Sequence, residues 1–327
     1  MKRAAIKRGL LALGVLLALG GGAVFLLTQP TFGSARTGPE VKADPGRLKA
    51  IVVKLSQDFS PRDSTHPQNL DRAAEWIEGE LAATSPTVTV QQWQVEGVTF
   101  RNVSALYGPA SAERVVIGAH YDGCEPFPAA DDNGSGVAAL LELARLLKAH
   151  PPRGQVELVA WSLEEPPFFR TVSMGSYVHA RSLADAKVKV RGALSLETIG
   201  YFRDEAGTQH FPVPGLSLLY STRGDYLAVV GNLGQIGLTR QVKAAMQAAA
   251  PLPIFSINAP VAIPGIDFSD HLNYWKFGYP AVMVTDTAFN RNARYHTALD
   301  TADTLDYPRL AQATEGVFEA AWRLSAP

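Results

Sequence analysis

Residues 115–147 read VVIGAHYDGCEPFPAADDNGSGVAALLELARLL. The stretch opens on a short apolar run, Val115–Ala119, and passes at once into His120-Tyr121-Asp122. It closes on a helical pattern in which Val137, Leu140, Leu141, Ala144 and Leu147 share one stripe. Between the two lies Ala130-Asp131-Asp132-Asn133-Gly134-Ser135-Gly136, polar and rich in glycine. A buried strand that feeds a helix through a loop of acids is the repeating unit of a parallel sheet. In such sheets ligands bind beyond the carboxyl ends of the strands.

The same unit recurs along the chain. Val156–Ser162, Gly192–Leu196, Tyr226–Val230 and Ala281–Thr285 are further apolar runs, and Gly234–Ala249 is another helical pattern. Upstream, Pro45–Phe59 and Asn69–Ala83 have helical spacing, the second with Leu70, Ala73, Ala74, Ile77 and Leu81 on one face. Thr87–Phe100 alternates like a strand or hairpin. Strands alternating with helices of this length predict one α/β/α sandwich domain over residues 45–327, with a mostly parallel mixed sheet.

The residues that follow each run form a pattern. Glu164-Glu165 comes after the second run, Glu197 after the third, and Asp286 after the last, with Tyr295-His296 ten residues on. One sheet edge therefore collects two imidazoles and at least five carboxylates, which is costly unless cations neutralise it. A sulfur-free His/Asp/Glu set suits Zn²⁺, Mn²⁺ or Co²⁺. Taken singly, the pieces have plainer readings. His120 and Asp122 could share a surface hydrogen bond, Asp131–Asn133 could cap the next helix, and Glu164-Glu165 could lie in a solvated loop. Convergence of all of them on strand ends outweighs these. Ser135 lacks the G-x-S-x-G turn of a serine hydrolase, and Cys124 beside the acids reads as structural rather than nucleophilic.

At these residues the sequence resembles the M28 family of co-catalytic dinuclear zinc peptidases, mostly aminopeptidases. Gly118–Asp122, Ala130–Val137, Glu164-Glu165, Ser269-Asp270-His271 and Tyr295-His296-Thr297 carry the resemblance, over roughly residues 45–325. It implies a phosphorylase/hydrolase-like fold and two divalent ions. Asp131 would bridge both ions, His120 and Glu197 would complete one, and Glu165 with His296 the other. Glu164 matches the general base, Asp122 the carboxylate that orients the His120 ring, and Ser269, Asp270 and His271 are candidate substrate contacts. The resemblance also implies a cis Asp131–Asp132 peptide. The chain departs from the family's pattern at two places. Glu197 stands where many members have Asp, and Ile266-Asp267-Phe268 lacks a tyrosine and a cysteine that some secreted members carry.

Gly9–Leu27 is an uncharged apolar run behind Lys2, Arg3, Lys7 and Arg8. At 1.5 Å per residue it just spans a ~30 Å hydrocarbon core. Residues 1–28 therefore read as a membrane anchor with the body outside, or as a signal peptide cut near Gly21 or Ala23. The Pro-, Gly- and Thr-rich residues 29–44 read as a linker. Either route exports the body.

The 327 residues carry 30 basic and 31 acidic side chains, but five of the basic ones and only Glu40 lie in residues 1–40. The remaining body is acidic, which excludes a nucleic-acid footprint. At 46% hydrophobic and 19% charged the chain is not disordered, and a single cysteine allows no internal disulfide or thiolate cage. Three functions fit. The first is an exported metallo-aminopeptidase acting on peptides with a free N-terminus. The second is another metal-dependent reaction on the same scaffold, such as carboxypeptidase or glutaminyl cyclase. The third is a non-catalytic binding ectodomain.

Overall fold

The computed structural model describes residues 2–31, 33 and 35–326, with side chains from Leu13 onward. Helix α1 (Lys2–Thr28) leads into an irregular stretch and then α2 (Pro45–Val53), α3 (Pro67–Ala82) and the hairpin β1 (Val88–Val95) and β2 (Val98–Tyr107). Next come β3 (Glu113–His120), α4 (Gly136–Ala149), β4 (Gln155–Trp161), α5 (Gly175–Asp185) and β5 (Lys189–Glu197). A small ribbon of β6 (Arg203–Ala206) and β7 (Arg223–Gly224) precedes β8 (Leu227–Gly231), α6 (Ile236–Ala249) and β9 (Ile254–Asn258). The chain closes with α7 (His271–Lys276), β10 (Ala281–Thr285) and α8 (Tyr307–Ser325).

Among the described residues, eight strands form one sheet in the order β1-β2-β4-β3-β5-β10-β8-β9. The centre, β4-β3-β5-β10, is parallel throughout. β2 and β8 join it antiparallel on either side. The apolar runs read from the sequence become β3, β4, β5, β8 and β10. They read as unbroken runs because both sheet faces are covered. On one face α2, α3, α4, α6 and α8 bury the main core, which includes Ile117, Leu158, Leu140 and Phe318. On the other, α5 and α7 cover Val116, Val159 and Trp161, with Tyr274 of α7 packed among them. Trp161 lies flat over Gly118, where any side chain would run into its ring.

Helix starts follow local chemistry. Asp44 accepts Gly46 N at 2.8 Å ahead of Pro45, and Asp306 accepts Arg309 N at 3.0 Å. The expected helix over Pro45–Phe59 stays α-helical only to Val53, then widens over Lys54–Asp58.

Glu157 is a carboxylate sunk at the second core, 4% exposed, with Arg114 Nη1 at 2.8 Å and His179 Nε2 at 3.3 Å. Burial alone would raise its pKa, but the interactions with His179 and Arg114 outweigh it and hold the carboxyl at about 2. A depressed folded pKa gives stability that is present above the unfolded value near 4.5 and lost as pH falls toward 2. The worth is on the order of 3 kcal/mol. In urea titrations, Glu157→Gln should therefore be much less stable than the wild type at pH 6, and the gap should close by pH 2–3. A gap independent of pH would show that packing, not charge, holds this residue.

The N-terminal segment is tied to the body. Lys243 Nζ donates to Thr28 O and Gln29 O at 3.0 Å, Ser256 Oγ to Thr28 O at 2.7 Å, and Thr37 and Gly38 amides bind the Glu319 carboxylate. None of the described residues of 29–44 lies in a helix or strand, yet Gln29, Val41 and Ala43 are buried. Among the described residues no helix is long and apolar enough to cross a membrane. The segment read as an anchor extends into side chains, residues 2–12, that lie outside the described ones.

Candidate metal centre

Four strand ends and one loop bring the acids and imidazoles together. β3 ends in His120, β5 ends in Glu197, Glu164 and Glu165 follow β4, and His296 follows β10. Asp132 enters from the segment between β3 and α4. Ala129, Leu163, Thr198 and His296, none of them glycine, adopt positive φ around the site. Such strain gathers where surrounding structure enforces a functional geometry.

Asp132 stands at the middle. Its Oδ1 lies 3.2 Å from His120 Nε2 and its Oδ2 lies 2.9 Å from His296 Nε2. On the first side, Glu197 Oε2 is 3.4 Å from His120 Nε2. On the second, Glu165 Oε2 is 3.2 Å from His296 Nε2. Glu164 Oε2 faces the gap from 4.0 Å beyond His120. Asp122 supports both sides: its main-chain oxygen and Oδ1 lie 3.2 and 3.5 Å from His120 Nδ1, and its Oδ2 accepts Glu165 N at 3.0 Å. Tyr295 stacks on His296 at 3.8 Å between ring centroids.

The expectation for Asp131 is corrected here. Its carboxylate turns away from the imidazoles and accepts Gly200 N at 3.0 Å and Asn292 Nδ2 at 3.2 Å. The non-proline cis peptide is likewise one residue later than expected, at Asp132–Asn133. The cause is the anchoring of Asn133. Its side-chain amide donates to Leu196 O and its side-chain carbonyl accepts Gly136 N and Thr198 N, which fixes Asn133 just before α4 and presents Asp132 to the site. Asp300, which sequence reasoning missed, receives the backbone amides of both Asp131 and Asp132. The Asp-Asp-Asn run signals an acid at this place, but nothing local to it distinguishes the two aspartates.

Ser269, Asp270 and His271 are corrected as substrate contacts, since none is more than 1% exposed. Ser269 Oγ donates to Glu197 Oε2 at 2.7 Å and is itself 2.8 Å from Ser195 Oγ, so it fixes the Glu197 carboxylate. His271 Nε2 bonds Ile266 O at 2.8 Å, and burial lowers its pKa to about 4, so the ring is neutral. Asp270 lies behind the site, where burial first and Glu197 and Asp122 next raise its carboxyl to about 7 against the pull of His120.

The electrostatics show what the cluster lacks. Burial, followed by the charges of Glu197, Glu165 and Asp270, drives the Glu164 carboxyl well above its usual range. Glu165 is raised by burial and then by Asp132. Asp132 alone is held low, because the two imidazoles outweigh its burial. His120 Nε2, Asp132 Oδ1 and Glu165 Oε1 are buried with no hydrogen-bond partner among the described residues. Buried groups of this polarity are normally satisfied, and bound metal would satisfy them. Their nitrogen and oxygen donors fit a divalent cation.

A model of peptidase family M28 matches residues 102–321. The chain belongs to this family. It is therefore a metallopeptidase by descent, with the scaffold of the family's aminopeptidases. It is 46% identical over 307 residues to the uncharacterized protein YfbL of Escherichia coli, covering 90% of this chain and 94% of that protein. It is 25% identical over 273 residues to leucine aminopeptidase 1 of Ajellomyces dermatitidis, covering 78% of this chain but only 65% of that protein. Among solved structures, BSAP, a zinc aminopeptidase from Bacillus subtilis, superposes with a TM-score of 0.71 at 14% identity, covering 88% of this chain and 97% of that one. A glutaminyl cyclase from Bacteroides thetaiotaomicron superposes with 0.67 at 19% identity, covering 87% and 99%. The M28 member thus shares its fold with enzymes of both kinds.

Proposed function

We propose that this M28 member is an exported, dinuclear zinc aminopeptidase that removes apolar residues from peptides with a free N-terminus. The observation that carries this reading is Asp132, whose two oxygens face two imidazoles that each have a glutamate partner. His120, Glu197 and Asp132 would hold one ion, and Glu165, His296 and Asp132 the other. Ions in these places would polarise a substrate carbonyl and acidify a water. Glu164 takes the proton and returns it to the leaving amine, a transfer suited to a buried carboxyl with a raised pKa. Asp122 holds the His120 ring, and Ser269 holds Glu197.

An apolar pocket of about 840 Å³, counting its mouth, opens beside Glu197 and Tyr295. Tyr226, Val230, Phe255, Phe268 and Met283 line it together with Phe211, Leu216 and Tyr220 from the stretch between β6 and β8. Such walls select a large apolar side chain. For export, the support is the uncharged run behind four basic residues and the exposed Leu16, Leu17 and Leu19 of α1, an apolar surface that water alone does not favour.

Metal analysis of the purified protein should return two divalent ions per chain. Leucyl chromogenic amides should be cleaved roughly 50-fold faster in kcat/KM than alanyl ones, at about 0.8 kcal/mol for each of three further buried carbons. Acetylating the N-terminus should abolish cleavage. Equal turnover of blocked and free substrates would point to an amidohydrolase. Cyclisation of N-terminal glutamine without peptide cleavage would identify a glutaminyl cyclase, the reading that the Bacteroides structure keeps in view.

A further inference from the structure

We propose that Cys124 is a further ligand of the cation assigned to Glu165, His296 and Asp132, so that one half of the centre is thiolate-coordinated and the other is not. This inference rests on the metal centre proposed above. The Cys124 sulfur, a Glu165 oxygen and a His296 ring nitrogen all lie within 4.8 Å of one another. A cation at ~2.0–2.3 Å from each ligand closes such a triangle with a small side-chain adjustment. Glu165, 4% exposed, also carries a buried oxygen, Oε1, with no hydrogen-bond partner among the described residues. The carboxylate beside the thiol therefore has bonding capacity left for a cation.

The loop that carries Cys124 is held in place. The buried Arg62 guanidinium donates to Tyr121 O, Pro128 O and Ala129 O, and Gly123 N donates to Arg62 O at 3.1 Å. Cys124 itself is 8% exposed, and as the only cysteine of the chain it has no disulfide partner within it. On coordination the thiol gives its proton to solvent and binds as thiolate. Thiolate favours zinc and cobalt over manganese and magnesium, whereas the His120, Glu197 and Asp132 half offers only nitrogen and oxygen and is more permissive. The two halves should therefore differ in the metals that they accept.

The test uses the full chain, stripped of metal and reloaded with Co²⁺. Two equivalents should bind, and one of them should bring near-ultraviolet sulfur-to-cobalt absorption. In Cys124→Ser that absorption should vanish while the visible cobalt bands persist. Zinc affinity should fall at least ~10-fold, the loss usual for a mere supporting residue, at one ion only. A second measurement needs no variant: zinc should slow iodoacetamide labelling of the wild-type thiol at least ~10-fold, by the same reasoning. Two bound cobalt ions without sulfur absorption, or labelling at equal rates with and without zinc, would overturn the assignment of Cys124. Failure to bind cobalt at all would instead overturn the metal centre.

Discussion

Replacing Asp132 by asparagine should strip the site of most of its metal, whereas the same change at Asp131 should leave two ions bound. The two residues are neighbours with the same charge, so any difference comes from geometry. Asp132 alone faces both imidazoles, at 3.2 and 2.9 Å. An amide there offers one weak oxygen in place of two charged ones, and both halves of the centre lose a ligand. Loss of Lewis acidity worth several kcal/mol should lower kcat/KM by roughly 10³–10⁴-fold. His120→Ala should be milder in stoichiometry, because it removes a ligand from one half only.

Asp131 is a different case. Burial, and then the charges of Asp286 and Asp300, raise its carboxyl well above the usual range. Its partners, Gly200 N and Asn292 Nδ2, are both donors to one or other carboxylate oxygen. Asparagine mimics the shape and keeps one of these acceptors, so the cost should be chiefly in stability. Metal counting by mass spectrometry under native conditions separates the two variants. If Asp131→Asn lost the ions and Asp132→Asn kept them, the bridging role would return to Asp131.

How far the sequence carried this picture depended on whether the cause was local. The central strands were legible because β3, β4, β5 and β10 are buried on both faces, which leaves unbroken apolar runs at the right spacing. The residues beyond them were legible for the same reason, since a strand's end fixes where the next side chain stands. His120, Glu197 and Glu165 accordingly stand at or just past strand ends, and His296 joins them from the loop after β10. The choice between Asp131 and Asp132 was not legible. It is made by Asn133 bonding to Leu196 and Thr198, some sixty residues away, and by Asp300 receiving two amides from across the site. Ser269, Asp270 and His271 misled for a related reason. A polar triplet suggests a surface facing substrate, but here it packs inward and supports Glu197. Arg62 gave no signal at all, because its partners are four backbone carbonyls. The apolar pocket is assembled from β8, β9, β10 and the stretch between β6 and β8, so no one stretch of sequence defines it.

Glu164→Gln should keep both ions and bind substrate, yet lose roughly 10²–10⁴-fold in kcat, the usual worth of general acid–base catalysis. Glu165→Gln should fail differently, by holding its ion weakly. The two side chains are adjacent in sequence but stand differently in the centre. Glu165 reaches His296 at 3.2 Å, while Glu164 lies toward His120 at 4.0 Å. Burial and the charges around Glu164 raise its affinity for a proton, which suits a group that must take one up and release it. Glutamine preserves the size of both residues, so each variant should fold. Excess zinc should then restore part of the activity of Glu165→Gln, because the defect lies in occupancy. The same addition should do nothing for Glu164→Gln, where the sites are already filled and only the proton acceptor is gone. Rescue of Glu164→Gln by metal, with Glu165→Gln unresponsive, would exchange the two roles.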